Sequence, residues 1–324
     1  AGSAQPRLLL GIGDDAAVWR ARPGRSVVAS TDMLVDTVDF RVSWTDWQSL
    51  GHKALAVNLS DIAAMGATPR LALVGLGLTG VEREREVLDL YRGMLALAAE
   101  HRVTIAGGDV SEAPGGLTIT GTVIGEGPAN GRLIRRDAAR PGDVVAVTGP
   151  LGLAAAGLRV LEGNLRRLDG SPAMRAALNR PIPRVREGIL LRRAGVRAGM
   201  DLSDGLLGDL PKLCEQSNVS AIIDAVRLPI PASLRWSFPD WFDLALRGGE
   251  DFELLFTAPP PVFARVRRLF RGRRMREPVA IGEITPPGGY GPDIKLRDAG
   301  GKLHRLEPGA FQHFGRSGAG AARR

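Results

Sequence analysis

Alternating and periodic apolar residues predict the secondary structure of most of the chain. Threonines alternate with apolar residues over positions 117–124, which indicates a half-buried strand. Short apolar runs predict further strands at 25–32, 71–78, 103–106, 143–148, 196–202, 219–226, 252–257 and 279–284. Apolar residues at helical spacing predict helices at 45–65, 81–101, 150–161, 185–194, 206–217, 241–247 and 261–270. Strands and helices interleave in both halves, so the fold class is expected to be mixed α/β (α+β).

Length and composition indicate more than one domain. The chain has 324 residues, of which 44% are hydrophobic, enough for two cores. A turn-rich segment with several arginines covers residues 132–142, so we expect an N-terminal domain over 1–137 and a C-terminal domain over 138–314. Residues 315–324 are rich in Gly, Ala, Ser and Arg and are expected to form a flexible tail.

Charge and cysteine content narrow the classes of partner and compartment. The formal net charge is +8, but the excess arginines are scattered and aromatic residues make up only 5%, so no nucleic-acid partner is expected. A secondary interpretation of the positive charge is a field that attracts phosphorylated ligands. No apolar run reaches the roughly 18–20 residues of a membrane span, so no membrane is expected. The single Cys214 excludes an internal disulfide and favours a cytoplasmic location.

The chemistry is concentrated in residues 201–206, where two aspartates and a serine lie between a strand and a helix. One of these side chains would be enough to cap the helix. Comparable acidic segments recur at other predicted strand or helix ends. They contain Asp14 and Asp15, Asp32, Asp61, Asp109, and Glu250 with Asp251. Together they predict one polar site assembled from distant parts of the chain.

Clustered carboxylates with Ser and Thr hydroxyls suit a hard cation such as Mg²⁺, bound together with substrate phosphates. Four widely spaced histidines and the lack of a CxxC pair argue against a soft-metal site. A glycosidase needs only two carboxylates, so it would not explain this many acidic segments. The sequence contains neither a Walker loop nor a protein-kinase motif set, which argues against those two classes of nucleotide-binding protein. Residues 75–80 match the GxGxxG pattern, but a Rossmann enzyme would leave the acidic segments unexplained.

Six motifs in the same order give the chain a resemblance to a known family. The motifs are GIGDDA at 11–16, STDMLV at 30–35, KALAVNLSDIAAMGA at 53–67, GGD at 107–109, DLSDGL at 201–206 and GGEDFEL at 248–254. The set closely resembles the thiamine-monophosphate kinase family, in the aminoimidazole-ribonucleotide-synthetase-like superfamily, from Gly11 to about Phe314. The resemblance implies a two-domain fold, each domain a mixed sheet packed with helices, and a homodimer built through the N-terminal domains.

The resemblance also implies an activity and a set of site residues. The activity is ATP-dependent, Mg²⁺-assisted phosphorylation of thiamine monophosphate to thiamine diphosphate, the final step of thiamine diphosphate biosynthesis. The metal ligands would be Asp15, Ser30, Thr31, Asp32, Asp61, Asp109, Asp201 and Asp204, with Asp32, Asp109 and Asp204 catalytic. The ATP contacts would be Gly108, Asp109, Arg136 and Ser203. The thiamine phosphate would contact Glu250, Phe311 and the segment containing Asp39.

The sequence departs from the family pattern in two places. Asp39 stands where the family commonly has a substrate-contacting histidine, which implies altered substrate affinity or a different contact. The helix that usually precedes the first glycine motif has no counterpart here, so we expect fewer contacts near the site.

Two alternatives stay open. One is a related ATP-dependent enzyme with another acceptor, although those with a reactive Cys near a terminus do not fit Cys214. The other is a non-catalytic homologue that binds nucleotide or nucleic acid, which steep salt-dependent DNA binding without turnover would favour.

Overall fold

A computed structural model describes residues 7–10, 18–20, 22–130, 132–165, 167–289, 291–307 and 309. A two-stranded sheet comes first, formed by β1 (Arg7–Leu10) and β2 (Val18–Arg20). A four-stranded sheet in the order β3-β6-β4-β5 follows. Its strands are β3 (Val27–Val35), β4 (Thr68–Leu78), β5 (Thr104–Glu112) and β6 (Thr118–Glu126). Only the β4–β5 pair in this sheet is parallel.

Two long helices belong to this first unit, α1 (Trp47–Ala64) and α2 (Glu84–His101). Asp46 caps α1 by accepting a hydrogen bond of 2.8 Å from the Ser49 amide. The two helices cross closely at Gly51 and Gly93. A Cβ at Gly51 would lie 1.9 Å from the Leu90 carbonyl oxygen, so a larger residue would force the helices apart.

A seven-stranded sheet in the order β13-β12-β9-β11-β7-β10-β8 forms the second unit. All its pairs are antiparallel except β12 with β9. The strands are β7 (Val144–Val147), β8 (Ala198–Asp201), β9 (Ser220–Asp224), β10 (Leu254–Ala258), β11 (Val279–Thr285), β12 (Ile294–Arg297) and β13 (Leu303–Arg305). The boundary expected after residue 137 falls between β6 and β7 and stays a prediction.

Helices α3 to α9 complete the second unit. They are α3 (Leu153–Glu162), α4 (Ser171–Asn179), α5 (Val185–Ala194), α6 (Leu206–Ser217), α7 (Ala232–Ser237), α8 (Trp241–Arg247) and α9 (Pro260–Arg271). The predicted limits of α6 and α8 are confirmed. The α6 cap is Gly205 without a side-chain hydrogen bond, so neither Ser203 nor Asp204 is used to cap the helix.

The two units share a hydrophobic core. Ile62 and Ala63 of α1 belong to the same buried cluster as Leu191 of α5 and Phe270 of α9. A Cβ at Gly188 would lie 2.0 Å from the Ala63 carbonyl oxygen, so α1 and α5 are in backbone contact. This packing places α1, which contains Asp61, directly beside the strand end that contains Asp201.

A second junction is made by Phe252, which precedes β10 in the second unit. Its side chain is buried in the core of the first unit with Leu34, Phe40, Leu50 and Val57. Each unit therefore contributes to the packing of the other, and the space between them has fixed walls.

Candidate active site

Two cavities open at the junction of the two units and have Asp61 and Asp201 as common wall residues. The first, the arginine cavity, has a volume of about 730 Å³ and is also lined by Ser30, Arg135, Arg136, Asp137 and Lys212. The second, the glutamate cavity, has a volume of about 720 Å³ and is also lined by Asp32, Asp39, Lys53, Ser203, Asp204 and Glu250. Each is large enough for a small ligand. Two ligands bound there would meet at Asp61 and Asp201.

The carboxylates at this meeting point come from three different elements. Ser30 on β3 donates its hydroxyl hydrogen bond to Asp61 on α1. Asp201 at the end of β8 accepts a hydrogen bond of 2.7 Å from the Ser60 hydroxyl. Asn58 on α1 accepts a hydrogen bond of 3.1 Å from the Asp32 amide. The structure thus brings together Ser30, Asp32, Asp61 and Asp201 as the sequence predicts.

Burial and repulsion from Asp61 raise the pKa of two of these carboxylates, Asp32 and Asp201. Burial, followed by the charge of Asp61, raises the pKa of Asp32 to about 6. Burial, again followed by the charge of Asp61, raises the pKa of Asp201 to about 7. Negative charges held this close disfavour one another, and a cation placed among them would relieve the repulsion. Such perturbed groups concentrate at functional sites.

The donor set fits Mg²⁺ bound partly by substrate. Carboxylate and hydroxyl oxygens are hard donors, and Mg²⁺ in phosphoryl-transfer sites takes one or two carboxylates with substrate phosphates. In the described ranges, no three Asp, Glu, His or Cys side chains come close enough to enclose an ion by themselves. The arrangement therefore suits ions that arrive with a phosphorylated ligand better than a preformed protein cage.

Asp204 is held at the entrance of the α6 helix by a lysine. Lys212 contacts Asp204 and also lies 2.9 Å from Asp209 Oδ1. Asp209 is fully buried and accepts a hydrogen bond of 2.9 Å from the Asp204 amide. Burial is the largest influence on the pKa of Asp209 and raises it. The Asp204 carboxylate is one-third exposed and faces the glutamate cavity, so it is oriented while remaining accessible.

Glu250 lies on a tightly constrained loop between α8 and β10. Glu250 and Phe252 have left-handed φ angles of 67° and 48°, which cost free energy for residues other than glycine. The Glu250 amide donates to the Ser203 carbonyl at 2.8 Å, and the Phe252 amide donates to the Leu202 carbonyl at 2.9 Å. These bonds join the loop to the 201–206 segment, so the two motifs form one wall of the glutamate cavity.

Asp251 anchors the same loop on the other side. Its carboxylate accepts hydrogen bonds from the Gly152 amide at 2.6 Å and the Ala154 amide at 3.2 Å, at the start of α3. Burial raises the pKa of Asp251 to about 7, although the amide hydrogen bonds oppose the shift. The role of Asp251 is therefore to fix the loop and not to contact a ligand.

Asp251 should make the stability of the protein depend on pH. Because its pKa is higher in the folded than in the unfolded state, folding takes up a proton between about pH 4 and pH 7. The free energy of unfolding should therefore fall as pH rises through this window, and less steeply in Asp251→Asn. Denaturant unfolding at pH 5, 6, 7 and 8 measures how the free energy of unfolding depends on pH in the wild type and in Asp251→Asn. Parallel curves for the two proteins would contradict the raised pKa of Asp251 in the folded state.

Asp39 has a structural function in the turn after β3. Its Oδ2 atom accepts a hydrogen bond of 2.8 Å from the Val35 amide, and its own amide donates to the Val35 carbonyl at 2.9 Å. Thr37 in the same turn has a left-handed φ of 70°. The carboxylate thus closes the turn and also lines the glutamate cavity, where it adds negative charge beside Asp32.

The residues expected to contact ATP are divided between the two cavities. Arg136 lines the arginine cavity, where its charge lowers the pKa of Asp201 and so opposes the effect of burial. Ser203 lines the glutamate cavity. The two residues lie on opposite sides of the Asp61–Asp201 pair.

Three of the expected ligands lie away from this cluster. The Thr31 side chain points to the opposite face of β3, where it donates to the Gly121 carbonyl at 2.9 Å. Asp109 lies on that same open face, which includes Met33, two residues after Thr31 on β3. The cross-strand pairs that connect them are Met33 with Thr120, Thr120 with Gly75, and Gly75 with Asp109. Gly108 precedes it on β5, three strand spacings from β3, or about 14 Å. One chain therefore does not bring Gly108 and Asp109 to Asp32.

Asp15 and Phe311 lie outside the described residues. Three polar residues near the cavities were not predicted from the sequence, namely Lys53, Lys212 and Asp209. Asn58, three residues before Asp61 on α1, is fully buried. A charged residue inside the apolar run 50–57 is the sequence signal that could have drawn attention to Lys53.

Comparison with known proteins shows the class of protein to which this chain belongs. Residues 13–126 match the family described as "AIR synthase related protein, N-terminal domain", and residues 140–295 match its C-terminal domain. The thiamine-monophosphate kinase of Bacillus subtilis (strain 168) is 39% identical over 251 residues, 76% of this chain and 77% of the relative. The fold and both sequence matches define an AIR synthase related protein.

Solved structures agree with this assignment. The thiamine-monophosphate kinase of Stenotrophomonas maltophilia K279a superposes with a TM-score of 0.81 and 38% identity, over 89% of this chain and 90% of that one. A structure described as AaThiL complexed with AMPPCP and TMP gives a TM-score of 0.78 and 29% identity, over 91% and 89%. Within its class, the chain belongs to the thiamine-monophosphate kinase family.

Proposed function

We propose that this protein catalyses ATP-dependent phosphorylation of thiamine monophosphate to thiamine diphosphate. The observation that carries the proposal is the pair of cavities that meet at Asp61 and Asp201. A donor phosphate in one and an acceptor phosphate in the other would face each other across the acidic cluster. We assign ATP phosphates to the arginine cavity, because the cations of Arg135, Arg136 and Lys212 line it, and thiamine monophosphate to the glutamate cavity.

In-line transfer between two anionic phosphates is opposed by charge repulsion. Bound Mg²⁺ would supply the positive charge that neutralises both reactants and aligns them. We propose that the ions are held by Asp15, Ser30, Thr31, Asp32, Asp61, Asp109, Asp201 and Asp204. Among these, Asp32, Asp109 and Asp204 act most directly on the transfer. Gly108, Asp109 and Arg136 contact ATP, and Ser203, in the wall of the glutamate cavity, contacts the ATP phosphate that is transferred toward the acceptor.

Acceptor binding is proposed for the glutamate cavity. Glu250 and the Asp39 turn form part of its wall. From the family resemblance we propose Phe311 as a further contact. The acceptor phosphate has a second pKa of about 6, so it is already ionised near neutral pH and needs no general base. This agrees with the lining of both cavities, which includes no histidine among the described residues.

A coupled ADP-release assay tests the function. Thiamine monophosphate with ATP and Mg²⁺ should give turnover, whereas thiamine, with a hydroxyl in place of the ionised phosphate, should give at least about a hundredfold less. EDTA should abolish the activity, and added Mg²⁺ should restore it. ADP release with another phosphorylated acceptor, but not with thiamine monophosphate, would instead support a related enzyme of the same class.

We further propose that the site is shared between two copies of the chain. Asp109 and Thr31 lie on the open face of the four-stranded sheet, away from Asp32. Val27 and Met33 on that face are 55% and 59% exposed, an apolar surface at a sheet edge of the kind that associates. A second copy packed there along the β3 edge could bring its Asp109 beside Thr31, next to Ser30 and the acidic cluster of the first, which makes the homodimer part of the mechanism.

The proposed partners are therefore ATP, thiamine monophosphate and a second copy of the chain. No helix in the described ranges is both long and apolar enough to cross a membrane. We propose a cytoplasmic location from the single cysteine, Cys214, which is buried and unpaired.

A further inference from the structure

Lys53 is a buried cation at the junction of the two units that the proposed ligand set leaves without a role. Its side chain projects from α1 and is only 3% exposed. Its Nζ atom lies 2.7 Å from Glu250 Oε1 and donates a hydrogen bond of 3.1 Å to the Asp39 carbonyl oxygen. Burial of an ammonium group costs free energy unless the group is paired. The presence of a lysine at this buried position therefore needs a functional explanation.

The two contacts of Lys53 connect opposite walls of the glutamate cavity. Glu250 belongs to the loop before β10 in the second unit, and Asp39 belongs to the turn after β3 in the first. All three residues line that cavity. A single ammonium group therefore bridges the two walls.

The restraint acts on groups that the backbone alone does not fix. The Glu250 main chain is fixed by its hydrogen bond to Ser203 and by the burial of the neighbouring Phe252 side chain. The Glu250 carboxylate, in contrast, is 30% exposed and is held by Lys53. The ammonium also offsets negative charge from Glu250 and Asp39. Without it, a phosphorylated ligand entering the cavity would meet a Glu250 carboxylate that has lost its cation.

We propose that Lys53 is a positioning residue that sets the affinity of the enzyme for its phosphorylated acceptor. It does so by holding the Glu250 carboxylate and the Asp39 turn in place, without contacting the nucleotide. This inference rests on the proposed function, because it takes the glutamate cavity to be the acceptor site.

The test is Lys53→Met, which keeps the length of the side chain and removes the charge. The KM for thiamine monophosphate should rise at least about tenfold, because misplaced contacts weaken binding, while the KM for ATP changes less than about twofold. A purely structural role would not separate the two constants. Lys295→Met is the matched control, because Lys295 pairs with Asp293 on the far side of the second sheet and should leave both constants unchanged.

A double-mutant cycle with Glu250→Gln protects the test against misfolding of the single variant. Lys53→Met leaves a carboxylate without its partner, whereas the double variant removes both charges. If Lys53 acts through Glu250, the acceptor KM of the double variant should lie within about threefold of that of Glu250→Gln alone.

An unchanged acceptor KM in Lys53→Met, or independent multiplication of the two effects, would overturn the inference while leaving the proposed function intact. A wild-type protein that neither binds nor phosphorylates thiamine monophosphate would overturn both.

Discussion

Asp61→Asn is expected to reduce turnover on the order of a thousandfold, because Asp61 borders both cavities and lies between Ser30, Asp32 and Asp201. The same substitution should raise the thermal stability of the metal-free protein. The charge of Asp61 contributes to the raised pKa of both Asp32 and Asp201, so its removal relieves repulsion in the folded state. Activity and stability should thus change in opposite directions.

ADP release and thermal unfolding in EDTA measure the two effects. Asp169→Asn is the matched control, since Asp169 is exposed in the loop before α4 and should affect neither quantity. An Asp61→Asn enzyme that keeps near-normal turnover would rule out the acidic cluster as the transfer site. Loss of activity accompanied by lower stability would instead mean that the carboxylate supports the fold.

Mixing two inactive variants should restore activity if the site is shared between copies. Asp61→Asn and Asp109→Asn are each expected to be inactive as homodimers. In a mixed dimer, one site combines both substitutions and the other contains neither. With free exchange of subunits, half of the dimers are mixed and half of their sites are intact, so about a quarter of wild-type activity should return.

The control for this experiment is a mixture of Asp61→Asn with Asp32→Asn. Both carboxylates lie in the same cluster of one chain, so every site in every dimer contains a substitution and no activity should return. A mixture of Asp61→Asn and Asp109→Asn that stays inactive, in preparations shown to exchange subunits, would contradict the shared site. Chromatography of the wild type establishes whether the dimer exists.

Local sequence patterns predicted most of the helices and strands. They failed for elements whose formation depends on pairing with strands that are distant in the sequence. The threonine alternation predicted β6, and helical spacing predicted the start of α6. Strands β12 and β13 were missed because they are short and obtain their hydrogen bonds from β9 and from each other. The short helix α7 was missed for a comparable reason, since its six residues are too few for a periodic signal.

The residues of the candidate site likewise include some whose placement follows from local patterns and others whose placement depends on the whole fold. The alternation of side chains along a strand already implies that Ser30 and Thr31 face opposite sides of β3, although motif resemblance groups them as joint ligands. By contrast, no local pattern could show that Lys53 meets Glu250, because the two residues are distant in sequence. The position of Asp109 on the open face likewise depends on the order of strands across the whole sheet.

The burial of Phe252 in the core of the first unit has a consequence for biosynthesis. A chain emerging from the ribosome completes β6 of the four-stranded sheet long before residue 252 is made. Until then, the cluster around Leu34, Leu50 and Val57 lacks one of its aromatic side chains. The first unit should therefore reach its final packing only when most of the second has been translated, so the acidic cluster forms late and on a nearly complete chain.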